Sequence, residues 1–324
     1  MHEAQPNLPI HLPNKVLVHT KIALPALPSA DSAPARPGEY AAALIAQNPR
    51  RHGSLKTFEQ ELEKTRIPRI SRISVTPIKG FALSHPSSIN LTSRGAEGDR
   101  DFFLIDDKGS VVSVSKTGAF SGFVPEYNAA GHELSITAPD GSVSRGEVCL
   151  GETIVADFWG HHKAPARMVI GPWAKWFSDV GGQNLRLVKA LTPGGGIDLE
   201  PVTLLGSGAL KALGDHAGLE DLDDRRFRML LNFSGAPAHA EDSWLDKEFQ
   251  IGSARVYLTG PVKRCSAVTR NPDTGNRDLP LLRMLKQHRG LQQSILGTGV
   301  CLGVYAKVTL PGTVACGDEI IAVS

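Results

Sequence analysis

Gly260-Pro261-Val262-Lys263-Arg264-Cys265 places a sulfur directly behind two cations, and Asn271-Pro272-Asp273-Thr274-Gly275 follows after a short spacer. The cysteine leaves a strand-like run, Ala254-Arg255-Val256-Tyr257-Leu258, through a Gly-Pro break. Neighbouring cations favour an anionic sulfur, the form that attacks electrophiles and binds soft metals. A free cysteine also serves as a small buried hydrophobe. The local sequence admits both roles for Cys265.

Arg226-Phe227-Arg228-Met229-Leu230-Leu231-Asn232-Phe233 reads as a strand continuing to Ser234. Alternation then puts Arg226, Arg228, Leu230 and Asn232 on one face and Phe227, Met229, Leu231 and Phe233 on the other. The apolar face is core. The polar face suits an anion such as a phosphate, whose oxygens accept paired guanidinium N–H donors, or it is an ordinary exposed strand face. Two shorter pieces add cations. Thr76-Pro77-Ile78-Lys79-Gly80 ends a strand with a lysine, and Glu97-Gly98-Asp99-Arg100 sets an Asp-Arg pair before the next strand. His161-His162 would face opposite ways on a strand and read as surface histidines.

Several chemistries have no support. The chain lacks GxGxxG, a Walker loop, HExxH and GxSxG, which removes dinucleotide, nucleotide, zinc-protease and serine-hydrolase readings. Its four cysteines, Cys149, Cys265, Cys301 and Cys316, form no CxxC pair. That leaves neither a Cys-rich zinc site nor a disulfide framework, in keeping with a reducing compartment. With 35 basic and 33 acidic residues the net charge is +2, which gives no polyelectrolyte footprint for nucleic acid. Arg50-Arg51 and Arg225-Arg226 read as solvated faces. No apolar run reaches 18 residues and the start lacks the order of a secretory signal, so no transmembrane segment is expected and the expected compartment is the cytoplasm.

The elements that must position these residues fall into blocks along the 324 residues. Residues 1–66 read as a Pro-rich arm with a helical extension, because prolines such as Pro6, Pro9, Pro13, Pro25 and Pro28 block helix and ladder hydrogen bonds. Helices are predicted over Glu39–Gln47 and over Ser54–Arg66, the second capped by Ser54. From 70 to 154, short alternating runs (Ile73–Ile78, Phe102–Ile105, Glu133–Thr137) with glycine turns predict an antiparallel barrel. Residues 160–250 mix helices (Pro172–Val180, Ser207–Ala217) with strands (Leu185–Ala190, Arg226–Ser234). The last part returns to strands, with Leu310-Pro311-Gly312-Thr313 predicted to join Gly303–Val308 and Asp318–Val323 as a closing hairpin.

Taken in order, these pieces resemble the MOSC superfamily, named after the C-terminal domain of molybdenum cofactor sulfurases. Within it they are similar to the mitochondrial amidoxime-reducing components and their bacterial counterparts. The resemblance covers roughly residues 70–323. It rests on Pro77-Ile78-Lys79, Asp99-Arg100, Phe227-Arg228, Ala240-Glu241-Asp242-Ser243-Trp244, Arg264-Cys265 with Pro272-Asp273-Thr274-Gly275, Gly303-Val304-Tyr305, and Pro311-Gly312 with Gly317-Asp318. It implies an α+β, β-rich fold: an N-terminal antiparallel β-barrel over 67–160, then a MOSC domain over 161–324 with a barrel-like sheet and flanking helices.

The resemblance also implies that the molybdenum cofactor, Mo-molybdopterin, binds between the two parts. Cys265 would be the catalytic sulfur on molybdenum. Lys79, Arg100, Arg228 and the backbone around Lys263 and Arg264 would hold the pterin and its phosphate, with Tyr305 nearby. A soft thiolate suits such a metal, and the cations match an anionic tail. The implied activity is two-electron reduction of small N-hydroxylated or N-oxide substrates. Electrons would come from an external electron-donor protein, since the chain carries no Cys cluster, flavin or haem motif.

The chain departs from the family at three places. The family's Lys-Ser is Lys79-Gly80 here. Its Phe-Arg-Pro-Asn is Phe227-Arg228-Met229-Leu230, with Asn232 expected to supply the missing amide one pleat along. An expected serine aligns with Glu200. The departures at Gly80, Leu230 and Glu200 keep open a specialised molybdenum-independent reaction, and a sulfur-carrier or cofactor-handling protein using a Cys265 persulfide is a separate alternative.

Overall fold

Short runs of β-branched and aromatic residues between turn residues become strands throughout residues 67–323, the part of the chain described by this computed structural model. The expected arm and its two helices lie outside the described residues. In chain order the first strands are β1 (Arg69–Ile73), β2 (Ser88–Thr92), β3 (Gly95–Ala96), β4 (Phe102–Ile105), β5 (Val111–Val112), β6 (Val124–Asn128), β7 (Glu133–Thr137) and β8 (Val143–Glu147). β9 (Cys149–Phe158), β10 (His162–Ile170), helix α1 (Trp173–Gly181), β11 (Arg186–Ala190), β12 (Val202–Gly206) and helix α2 (Ser207–Ala217) follow. The remainder comprises β13 (Leu231–Ser234), β14 (Glu248–Ile251), β15 (Ala254–Lys263), helix α3 (Leu281–Arg289), β16 (Cys301–Leu310), β17 (Gly312–Ala315) and β18 (Ile320–Ala322).

The N-terminal half is the expected antiparallel barrel, built on a five-stranded sheet in the order β5-β4-β11-β10-β9 with β6-β7-β8 beside it. Aromatic rings fill it. Phe81 stacks on Phe120 at 5.2 Å and meets Phe177 of α1 edge-on at 5.4 Å. β9 and β10 form one hairpin across 160/161, where the domain boundary was expected, and α1 and β11 stay with the same half.

The C-terminal half is a seven-stranded sheet, β1-β13-β12-β16-β15-β14-β18. An antiparallel bridge between Arg69 and Glu319 brings its two edges together, so the sheet is nearly closed around a second core that includes Ile70, Leu204, Phe233, Val256 and Val304. β1 is the first strand of the chain's described part yet completes the second barrel, which interlocks the halves.

Three sequence expectations are overturned. The predicted closing hairpin does not form: β17 pairs with β2, β18 pairs with β14, and β16 lies between β12 and β15. Burying β16 in the middle of the sheet satisfies both of its hydrogen-bonding edges, which a terminal hairpin would not. The predicted strand over 226–234 begins only at Leu231, because Asp224–Phe227 coils into a 3-10 turn capped by the Asp223 side chain. The Gly260-Pro261 break is absent. β15 runs through it, with irregular register around both residues, and the sheet absorbs the proline at a bulge.

The halves also meet backbone to backbone at Gly118 and Gly275. A Cβ on either residue would overlap the other's carbonyl. Gly275 has φ +72 and closes the Asn271–Gly275 turn, its N–H donating to the Asn271 carbonyl at 2.9 Å. Gly275→Ala is therefore expected to cost about 1–3 kcal/mol of stability, from left-handed strain and the lost close approach together. A urea titration reads this as a lower midpoint with an unchanged slope.

Candidate functional site

A cleft of about 750 Å³ lies between the two barrels, and cations line its floor. Lys79 and Arg100 are set by main-chain bonds between the segment after β1 and the start of β4: Lys79 N–H donates to Phe102 O at 2.8 Å, and Arg100 N–H to Thr76 O at 2.7 Å. Arg228 comes from the other half, directly after the 3-10 turn. Both arginines are left-handed, Arg100 at φ 55 and Arg228 at φ 51, a backbone that costs a non-glycine residue about 1–2 kcal/mol. Such residues collect at functional sites.

Their partners leave charge uncompensated. Asp99, fully buried, takes the Thr76 N–H at 2.8 Å and the Arg100 guanidinium. Lys79, buried, donates to Asp198 at 2.6 Å and to Gly196 O at 2.8 Å. Arg228 reaches only a carbonyl, Phe81 O at 2.7 Å, while its own carbonyl accepts from Arg100 at 3.2 Å. No carboxylate pairs with Arg228 among the described residues. Desolvation in the cleft and the adjacent Arg100 push its pKa down to about 9. Burial likewise lowers Lys79, against the opposing pull of Asp198. Asp198 feels the cleft walls too, but the charge and hydrogen bond of Lys79 outweigh desolvation and hold its carboxyl below the usual range.

Cys265 stands at the other wall. It is exposed, follows β15, and caps the 3-10 turn Ser266–Thr269. The two cations before it are occupied elsewhere. Lys263 Nζ donates to Leu296 O at 3.0 Å, and Arg264 donates to Leu302 O and Phe227 O, both at 2.9 Å, with its guanidinium 5.3 Å from the Phe227 ring. Burial brings Arg264 down to about 10. Arg264 thus fastens β15 and β16 to the turn that presents Arg228. Tyr305, on β16, is buried at the cleft, and burial pushes its phenol up to about 12.

The cleft brings together Lys79, Arg100 and Arg228 with Lys263, Arg264, Cys265 and Tyr305. Asn232 does not line it. Its amide donates to Asp224 at 2.8 Å, because the 3-10 turn breaks the alternation that was expected to align it with Arg228. Leu230 lines the cleft instead, its N–H donating to Thr203 Oγ1 at 2.9 Å. Arg226 is no solvated arginine: it is 7% exposed and forks onto Asp278 with two bonds of 2.7 Å. Arg225 forks onto Asp223 and Asp273.

Sequence reasoning missed Asp198 and the tip of the β9–β10 hairpin. His161 and His162, expected on the surface, line the cleft with Trp159. His162 stacks on Phe158 with centroids 4.3 Å apart. The signal that could have found them was Trp159-Gly160 between two strands, a hairpin turn rather than a continuous strand.

An anionic, sulfur-seeking group fits this donor set. The guanidinium of Arg228 has no carboxylate in contact with it among the described residues, and the exposed Cys265 lines the same cleft. Inorganic phosphate should occupy the cationic floor. At about ten times its Kd it adds roughly 1.4 kcal/mol by mass action, which raises Tm by a few degrees in a protein of this size. In Arg228→Met that increment is expected to disappear, and differential scanning calorimetry of both proteins with and without phosphate measures it.

The MOSC N-terminal beta barrel domain family matches residues 67–184, and the MOSC domain family matches residues 194–321. Among solved structures, the YuaD protein from Bacillus subtilis is 13% identical, with 79% of this chain and 96% of that chain covered and a TM-score of 0.38. YiiM from Geobacillus stearothermophilus is 18% identical, with 39% of this chain and 55% of that chain covered and a TM-score of 0.29. Both likenesses are loose. No helix among the described residues is long and apolar enough to cross a membrane. MOSC domains are known in proteins that bind the molybdenum cofactor. With both family matches in order along two joined barrels, the chain belongs to the MOSC superfamily.

Proposed function

We propose that the cleft binds the molybdenum cofactor and that the protein reduces N-hydroxylated substrates with electrons from a separate redox protein. The observation that carries this reading is Arg228, a cleft guanidinium with cationic neighbours and no carboxylate, facing the same space as the exposed sulfur of Cys265. Arg100, Arg228 and Lys79 would hold the pterin and its phosphate, together with the backbone around Lys263 and Arg264. Cys265 would be the protein's sulfur ligand to molybdenum. The chemistry the cofactor supplies when bound is two-electron redox coupled to taking up oxygen.

For an amidoxime the net change breaks the N–O bond. The hydroxyl leaves as water after gaining one proton, the nitrogen gains a second, and two electrons come from the partner protein. Tyr305 keeps its phenolic proton at neutral pH and can donate into the cleft. The Lys79–Asp198 pair fixes an acceptor beside it.

The test is metal analysis of protein made in a host that synthesises the cofactor. Wild type is expected to carry stoichiometric molybdenum, and Cys265→Ser to lose it with an unchanged circular dichroism spectrum. Equal molybdenum in the serine variant overturns the sulfur assignment. Metal-free wild type bearing a labile sulfane sulfur overturns the cofactor reading in favour of a sulfur carrier.

A further inference from the structure

The β9–β10 hairpin ends in an aromatic tip whose backbone runs against local preference. His161 N–H donates to Phe158 O at 3.0 Å, closing a turn whose central residues, Trp159 and Gly160, have φ of 55° and 78°. Two successive positive φ values with that bond mark a type I′ turn, for which Asn-Gly is the favoured pair. A bulky side chain in the left-handed region is an outlier. Trp159 is held there firmly. Its Nε1–H donates to Val111 O at 2.9 Å, Phe158 meets it edge-on at 5.7 Å, and Lys79 Nζ lies 5.9 Å from its ring centroid.

The strained residue nevertheless leaves 36% of its surface exposed, and it lines the cleft. Asp198 lines the same cleft. Lys79 engages one of its oxygens, and the side chain stays 55% exposed, so acceptor capacity remains for a ligand. Leu199 and Ile295 add exposed apolar surface to the lining. A flat indole in the same lining as a carboxylate that Lys79 engages through one oxygen describes a subsite for a ring that carries a polar hydrogen.

We propose that Trp159 is the specificity-determining residue of the cleft: it stacks the aryl or heteroaryl ring of the substrate while Asp198 accepts an N–H or O–H from the group that ring carries. The inference rests on the cleft being the substrate site proposed above, and binding tests it without turnover. Isothermal titration of the full chain compares benzamidoxime with cyclohexanecarboxamidoxime, which has the same polar group and similar size but no flat ring. Wild type is expected to bind the aryl compound roughly three- to tenfold more tightly, the range of one aromatic stack. Trp159→Asn, which installs the favoured turn pair, should lose that preference, and Trp159→Phe should keep most of it. Quenching of Trp159 emission by benzamidoxime, read as wild type minus Trp159→Phe, gives the same answer without the asparagine variant. An aryl preference that survives in Trp159→Asn, or is missing from wild type, overturns the inference. Trp159-dependent binding without reduction overturns the proposed reaction and leaves the subsite standing. Reduction of both compounds with equal KM does the reverse.

Discussion

The bond from Arg228 to the Phe81 carbonyl is the constraint on which the cleft depends. It crosses from the MOSC half to the N-terminal barrel, and the carbonyl of the same arginine accepts from Arg100 on the return path. Two cations are thus fixed across a seam by main-chain oxygens. A carbonyl supplies direction but little counter-charge, so the arrangement carries an electrostatic cost that a carboxylate would have removed. Two packed cores on either side hold the geometry. An anion entering the cleft would recover that cost before any contact specific to one ligand is made.

The same logic gives the cations that precede Cys265 main-chain partners of their own. Adjacent basic residues in sequence suggest a sulfur activated by its neighbours. In the fold, Lys263 and Arg264 turn toward carbonyls of Leu296, Phe227 and Leu302 and act as fasteners. Arg100, Arg228 and Lys79, from segments far away in the chain, line the same cleft as Cys265. Sulfur and cations are a site only once both barrels have formed.

Much of this was legible in the sequence. The two barrels, both helices near 173 and 207, and the cations Lys79, Arg100 and Arg228 follow from alternating runs, turn residues and the resemblance of ordered motifs. What failed did so for identifiable reasons. Asn232 was assigned by strand alternation, but Asp223 offers a side-chain cap that coils Asp224–Phe227 into a 3-10 turn and resets the phase. The closing hairpin was inferred from proximity in sequence, whereas β16 is central and takes its neighbours from β12 and β15. Asp198 was invisible because its partner, Lys79, is remote in the chain and loops carry no period.

Three residues of the cleft share a backbone signature. Of the six described non-glycine residues with positive φ, three, Arg100, Trp159 and Arg228, line the cleft. Each breaks a local backbone preference at a residue that lines the site, although Arg100 also pairs with the Asp99 carboxylate. Turn chemistry that asks for asparagine or glycine and receives arginine or tryptophan is a conflict between local and global levels, and such conflicts mark positions held for another purpose. Trp159-Gly160 shows that conflict in the sequence itself: the strands flank Trp159-Gly160-His161, whose glycine fits a type I′ turn and whose tryptophan does not. The mismatch lies in the lining of the cleft, where the backbone has its strain and the indole stays partly exposed.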